Sequence, residues 1–300
     1  VDFEISTTQT TITRSSIEIP SVIERVYQAL VLGVRDYINK NHFPGVLVGV
    51  SGGIDSALTL AIAVDALGSD RVHAILMPSR FTQSISNKDA IALINALGVK
   101  HDTLSIEAAY SSLLETLAPI FSDKKTEVTE ENIQSRCRGI LLMALSNKYG
   151  NLVLTTGNRS ELAVGYCTLY GDMAGGFAVL KDVPKTMVYE LAKYRNQINP
   201  VIPERTIERP PTAELAPDQK DEDTLPPYAV LDQILEAYLN QGLGIDDIIA
   251  LGFNADIVNK VVQLIKRNEY KRKQAAVGTR INHKSFGKDW RYPNTNGFKG

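Results

Sequence analysis

The stretch GVLVGVSGGIDSALTLAIAVDALG, residues 45–68, runs from an apolar, β-branched segment into Ser-Gly-Gly-Ile-Asp-Ser and straight on into helical spacing. Val46, Leu47, Val48, Gly49 and Val50 show no polar alternation, the pattern of a strand covered by helices on both faces. Leu58, Ile62 and Leu67 then recur at helical spacing, and Gly68 supplies the stop. Strand, glycine turn and helix in that order leave unpaired N–H groups at the helix start, beside residues small enough to let a ligand reach the backbone. The natural guest is a phosphate. Neither the Walker spacing nor Gly-x-Gly-x-x-Gly is present in this loop. Ser51, Gly52 and Gly53 suit a tetrahedral oxyanion, whereas the Asp55 carboxylate repels one unless a divalent cation lies between them. The motif therefore predicts Mg²⁺ as well as phosphate, against the plainer alternative of a tight turn with a helix N-cap.

The alternation continues along the chain. Ile23, Val26, Tyr27, Leu30, Val34 and Ile38 mark an amphipathic helix before the first strand, 72–77 a second strand, 87–97 a helix and 100–106 a third strand. A long helix at 130–149, a strand at 151–156 and a helix at 185–195 follow. This order predicts an α/β fold, a doubly wound parallel sheet with helices on both faces and the site at the carboxyl ends of its strands, where Ser51 and Thr156 lie. Beyond Asn199 prolines crowd the sequence, so 204–227 reads as an irregular loop, with helices resuming near 228–239 and 255–270. Residues 1–16, with the polar run STTQTTITRSS, read as a linker to something longer, and 17–300 as one domain.

A second chemical cluster, LTTGNRSELAVGYCTLYGDMAGG at 154–176, places Thr156, Gly157 and Asn158 directly off a strand. Glu161 follows within a turn and is a candidate to share Mg²⁺ with Asp55. Its plainer role is an acidic residue at a helix start, worth about 0.3–1 kcal/mol against the dipole. Asp172 reads equally as a turn residue or a ligand contact. A net charge of −2 gives no basic field of the kind a dedicated nucleic-acid binder carries. The longest apolar run, 57–66, is interrupted by Asp65 and is shorter than the ~20 residues of a membrane span. Cys137 and Cys167 are too few for a disulfide framework or a four-ligand zinc site, so inert thiols and a cytoplasmic location are expected.

Ser51-Gly-Gly-Ile-Asp-Ser56 resembles the pyrophosphate loop of the N-type ATP pyrophosphatases, which include GMP, asparagine and NAD synthetases. TTGNRSELAVGYCTLYGDMAGGFAVLKDVPKT and RPPTAELAPDQKDEDTLPPYAVLDQIL look like the synthetase domain of the glutamine-dependent NAD⁺ synthetases, and the likeness runs from about residue 23 to 298. That resemblance implies ATP-dependent amidation of nicotinic acid adenine dinucleotide (deamido-NAD) through an adenylated intermediate, with release of pyrophosphate and AMP. It places the ATP phosphates on Gly49, Val50, Ser51, Gly52, Gly53, Ile54, Asp55 and Ser56, the nucleotide on Thr156, and the triphosphate also on Lys185 and Thr212. Asp55, Ser51 and Lys185 become the catalytic candidates and Asp55 with Glu161 the Mg²⁺ ligands; Asn132, Arg136, Glu161, Asp172 and Lys271 are assigned to deamido-NAD. Without the resemblance, Arg136 and Arg138 read as a solvated helix face.

Leu169 and Tyr270-Lys271 follow the glutamine-dependent pattern and not that of the ammonia-dependent members. The resemblance also implies a homodimer, for which the helix at 130–149 has an apolar face, and a glutaminase domain for which this chain has no room. Free ammonia is then the expected nitrogen donor. Two alternatives share the fold: another ATP pyrophosphatase, GMP synthetase-like or tRNA-modifying, and a nucleotide-binding module without catalysis. Finally, 271–300 carries eight basic residues against Asp289 alone, together with Phe286, Trp290, Tyr292 and Phe298. So many aromatics argue against a free tail. The segment is expected to fold back toward the active site and to order with substrate, as is the 204–227 loop.

Overall fold

The computed structural model describes the chain apart from residues 1, 6–9, 14–18, 122–127, 217–218, 220, 285, 287–289, 294, 296 and 298–300. Within the segment read as a linker, β1 (Asp2–Ile5) and β2 (Thr10–Thr13) pair antiparallel, Asp2 opposite Thr13. The Thr and Ile residues of β2 are strand formers, which a reading based on polarity alone overlooks.

Helix α1 (Val22–Lys40) starts at Ser21, whose hydroxyl accepts from Glu24 N, and buries Tyr27, Leu30, Val34 and Ile38 along one stripe. The central sheet has the order β5-β4-β3-β6-β7, formed by β3 (Val46–Gly49), β4 (Val72–Leu76), β5 (Lys100–Thr103), β6 (Leu152–Thr155) and β7 (Phe177–Ala178). Every pair in it is parallel. Helices α2 (Ile54–Leu67), α3 (Ser84–Leu97), α4 (Glu107–Phe121), α5 (Val128–Tyr149), α6 (Arg159–Val164) and α7 (Lys185–Ile198) connect or follow the strands.

Strand alternation divides the core. Val46, Val48 and Leu154 pack with α1, α2 and α7 on one face, while Leu47, Ile75 and Val153 meet Leu142 of α5 on the other. Covered from both sides, β3 needs no polar residue. The doubly wound parallel architecture is thus the one the sequence predicts. The third strand stops at Thr103, although Leu104 N still bonds Leu76 O at 2.8 Å. Helix α4 has no counterpart in the sequence reading.

The remaining chain builds a second apolar cluster beside the sheet. Helix α8 (Glu204–Glu208) interrupts the proline-rich stretch. Then come α9 (Tyr228–Leu235), a π-helical turn at Glu236–Gln241, α10 (Ile245–Ala250), α11 (Ala255–Arg267) and α12 (Glu269–Lys273). Leu162, Leu231, Ile248, Val261 and Ile265 meet there. Among the described residues no helix is long and apolar enough to cross a membrane.

The basic C-terminal segment does fold back: Ala275 and Ala276 reach a small pocket also lined by Thr155, Gly157 and Asp172, while the chain beyond them packs elsewhere. Val277 O accepts from Ala178 N at 2.7 Å at the sheet edge, and Asp182 Oδ2 accepts from Ile281 N and Asn282 N, both at 3.0 Å. Thr279 sits against α1 where Gly33 leaves room: a Cβ on Gly33 would lie 2.1 Å from Thr279 Oγ1. Phe286 is buried in the second cluster beneath the Arg159 and Arg272 guanidinium groups, and Trp290 meets Tyr238 at a tilt and Tyr292 edge to face. The described residues of this segment take no part in lining the cavity beside the glycine loop. Lys288, Asp289, Phe298 and Lys299 lie outside the described residues.

Candidate active site

The sheet order reverses between β3 and β6, so the chain leaves these neighbouring strands in opposite directions and opens a crevice at their carboxyl ends. Gly49, Val50 and Ser51 line it from the end of β3, and Thr155, Thr156 and Gly157 from the end of β6. Val50 N is held by Ile75 O at 2.9 Å. The turn that follows is stitched from within: Ser51 N donates to Ser56 Oγ and Gly53 N to Ser51 Oγ, each at 3.2 Å, while Ser56 Oγ donates to Gly53 O at 3.0 Å. Gly52 has φ +86°, and a Cβ there would lie 2.2 Å from Ser86 O. Gly53, as N-cap of α2, offers no side chain to the first-turn N–H groups. Those donors point to where an anion is needed.

Beneath this loop lies an ion triad of one buried cation and two half-buried carboxylates. Lys185, at the first position of α7 and 2% exposed, places Nζ 2.5 Å from Asp55 Oδ2 and 3.1 Å from Glu161 Oε1. Asn158 joins the carboxylates: Nδ2 donates to Asp55 Oδ1 at 2.8 Å, and Oδ1 accepts from Glu161 N at 3.0 Å as N-cap of α6. Asn158 and Glu161 thus form a capping box, in which Glu161 Oε2 accepts from Asn158 N while Oε1 remains free to meet Lys185. Burial alone would pull the Lys185 ammonium down, but Asp55 and Glu161 outweigh it and hold it above its ordinary value. Burial pushes the Glu161 acid up to about 7, Lys185 opposing and Asp55 and Asp221 adding to the rise.

Of the residues selected from the sequence, Gly49, Val50, Ser51, Gly53, Ile54, Asp55 and Ser56 line one cavity together with Thr156, Glu161, Asp172, Lys185 and Thr212. Gly52 shapes the turn without lining the cavity. Asn132, Arg136 and Lys271 are not on its wall. Asn132 accepts from Thr168 Oγ1 at 2.7 Å, Arg136 is exposed and donates to Leu169 O, and Lys271 Nζ donates to Gly165 O and Cys167 O. Asp172, exposed in the cavity, accepts from Thr168 N through Oδ1 at 2.6 Å. The thiols carry none of this chemistry, and burial pushes Cys167 up to about 12.

The sequence reading missed Arg209, Glu214 and Asp221, which line the cavity, and took Arg138 for a solvated residue. Arg138 donates to Met77 O at 3.0 Å from the same face of α5 as Ser135, Gly139 and Leu142. That i, i+3, i+4, i+7 spacing was the signal available. Arg209 Nη1 donates to Ser86 Oγ at 2.9 Å, and Tyr228 OH donates to Asp221 Oδ2 at 2.9 Å. Five carboxylates, Asp55, Glu161, Asp172, Glu214 and Asp221, thus face three cations, Arg138, Lys185 and Arg209. A polyphosphate entering this excess of negative charge needs cations of its own. Among the described residues no three His, Cys, Asp or Glu side chains converge as a metal-binding group. Two hard carboxylates completed by substrate oxygens are a donor set that suits Mg²⁺.

The NAD synthase family profile matches residues 26–275. The chain is 56% identical over 279 residues to a glutamine-dependent NAD(+) synthetase of Acinetobacter baylyi, covering 92% of this chain and 52% of that protein. It is 51% identical over 278 residues to the enzyme of the same description from Thermotoga maritima, covering 92% and 48%. The chain spans about half the length of the curated relatives it matches. Among solved structures it is similar to a glutamine-dependent NAD⁺ synthetase from Acinetobacter baumannii in complex with ADP, with a TM-score of 0.65, 52% identity and coverage of 95% and 52%. An NMN synthetase from Francisella tularensis superposes with a TM-score of 0.71 at 29% identity, covering 84% of this chain and 96% of its own.

Proposed function

The chain belongs to the NAD synthase family, and from that premise we propose that it amidates deamido-NAD to NAD⁺ at the expense of ATP. The observation that carries this reading is the Lys185–Asp55–Glu161 triad under an anion-binding loop at the sheet's reversal point. The chemistry needs such a site. A carboxylate is a poor electrophile because its leaving group is oxide. In the first step its oxygen bonds to the α-phosphorus of ATP, the bond to pyrophosphate breaks, and an acyl adenylate results. Ammonia then bonds to the acyl carbon, AMP leaves with the electron pair, and a proton is released.

The residues divide the work. Ser51 and the first-turn N–H groups of α2 hold phosphate oxygens, and Thr156 and Thr212 flank them. Lys185, Arg138 and Arg209 offset the charge that grows on departing pyrophosphate, where fixed cations act most strongly. Asp55 and Glu161 would hold Mg²⁺, which would supply Lewis-acid stabilisation of the leaving phosphates. Lys185 then exchanges carboxylate partners for phosphate. Asp172, which also lines the cavity, serves the deamido-NAD end. Arg136 and Lys271 act by holding backbone carbonyls and Asn132 by holding the Thr168 hydroxyl, unless a second subunit brings dinucleotide to them. A homodimer fits that requirement: Ile140 and Met143 of α5 are exposed on the molecule as a single chain. The nitrogen donor for these 300 residues is free ammonia, with glutamine serving through a glutaminase domain in a longer parent.

ATP–pyrophosphate exchange tests the reading. Exchange that depends on deamido-NAD, and not on xanthosine monophosphate, nicotinic acid mononucleotide or tRNA, is expected; exchange with none of these leaves a binding module only. Amide formation from glutamine as sole donor with the pure chain would overturn the ammonia assignment.

A further inference from the structure

Helix α7, which starts at Lys185, has Pro184 as N-cap, a residue that makes no side-chain bond to it. Its orphan N–H groups are taken up from elsewhere in the chain instead. Ser160 Oγ accepts from Lys185 N at 2.9 Å and donates to Asp232 Oδ1. Asp232 Oδ2 accepts from Thr186 N at 2.9 Å and from Thr186 Oγ1 at 2.8 Å. Ser160 is fully buried and Asp232 is 9% exposed, and neither lines the cavity. Ser160 immediately precedes Glu161 on α6. Asp232 stands one turn along α9 from Tyr228, whose ring centre is 5.3 Å from Lys185 Nζ. One carboxylate therefore ties together the three elements that carry Glu161, Lys185 and Tyr228.

We propose that Asp232 is a positioning residue: through Ser160 and Thr186 it caps α7 from outside and fixes the Lys185 ammonium between Asp55 and Glu161. A buried carboxylate is an expensive way to fill core space, and an apolar residue of similar size commonly serves stability as well or better. Three donors aimed at two oxygens do something an apolar residue cannot, which is to set the axial position and rotation of a helix start. A negative group at that end also suits the helix dipole. The proposal rests on the reading of Lys185 as the cation that meets phosphate.

The test compares Asp232→Asn with wild type. The amide keeps the shape but turns an NH₂ toward Ser160 or Thr186, both of which need acceptors. Deamido-NAD-dependent exchange is expected to lose kcat by on the order of 10- to 100-fold, as small misplacements do, with a smaller change in the KM for ATP. Placed on Lys185→Met, the substitution should cost nothing further, because both act through one group. A folded Asp232→Asn with unchanged kcat, or a loss that multiplies with that of Lys185→Met, overturns the proposal. Ser160→Ala, which removes the acceptor for Lys185 N, carries the same test if Asp232→Asn does not fold. A second readout needs no activity: acetic anhydride labelling of Lys185, followed by mass spectrometry, should be slow in wild type and about 10-fold faster in the variant. Faster labelling without wild-type exchange would sink the proposed activity and leave the positioning role standing; equal labelling in the folded variants removes the positioning role.

Discussion

Lys185 Nζ lies 2.5 Å from Asp55 Oδ2, an ion pair that joins the first turn of α7 to the first turn of α2 across the reversal point of the sheet. Asp55→Asn should keep the fold. Glu161 remains within 3.1 Å of the ammonium, so the cost falls below the about 3–5 kcal/mol of stranding a buried charge without any partner. Mg²⁺-dependent exchange should nevertheless vanish, because the amide offers no negative oxygen to the metal. Urea unfolding and exchange assays on the same preparation separate the two effects. Near-normal activity would remove Asp55 from the metal site.

Glu161 gives the pH dependence. Its acid rises from 4.5 to about 7 in the folded protein, burial being the largest cause. The folded protein therefore holds a proton that the unfolded chain has released across that window. The stabilising contribution is fully present below about 4.5 and is lost as pH rises through about 7. Activity runs the other way, since only the carboxylate serves a metal, so kcat/KM should climb through an acid limb near neutrality. Glu161→Gln should flatten both profiles. An acid limb that persists unchanged in the variant would assign it to another group.

What the sequence made legible was local. The strand, glycine turn and helix around Ser51 follow from pattern alone, and so does the placement of Glu161 at a helix start. The missing parts depend on distant pairings. Asp232 meets Thr186 and Ser160 across 46 and 72 residues, and nothing in α9 itself says which donors it will reach. Arg209 sits in a proline-rich stretch whose path only the folded chain defines. Helix α4 was open to the same pattern reading, since Ile106, Tyr110, Leu114 and Leu117 stand at helical spacing and pack in one cluster. For the C-terminal segment, aromatic content foretold burial without foretelling against what.

The two glycines of the loop should respond differently to a methyl group. Gly52 combines φ +86° with backbone 2.2 Å from a prospective Cβ, so Gly52→Ala must move either the turn or the start of α3. Gly53 has φ −83°, and its nearest neighbour would be Ser51 Oγ at 3.3 Å. Calorimetric titration with ATP should show binding lost in Gly52→Ala and weakened by no more than about tenfold in Gly53→Ala, the cost of one disturbed loop bond. Equal affinities in the two variants would contradict the turn geometry.

Phe286 tests the placement of the C-terminal segment. It is 4% exposed, among Leu162, Leu231 and Ile265, with the Arg159 and Arg272 guanidinium carbons 5.4 and 5.7 Å from its ring centre. Phe286→Ala should cost about 3–5 kcal/mol through the cavity it leaves, and somewhat more because two buried cations lose their ring. Local opening should then precede global unfolding, since Phe286 is the one described residue beyond Arg272 that is buried. Limited proteolysis should cut within 271–300 many times faster in the variant than in wild type. Because the described residues of this segment lie off the cavity wall, ATP and deamido-NAD should leave the wild-type cleavage rate in the segment unchanged. Protection by substrates there would mean that the segment reaches the site after all, as its charge first suggested, and that its packing against the second cluster is not the state that matters in turnover.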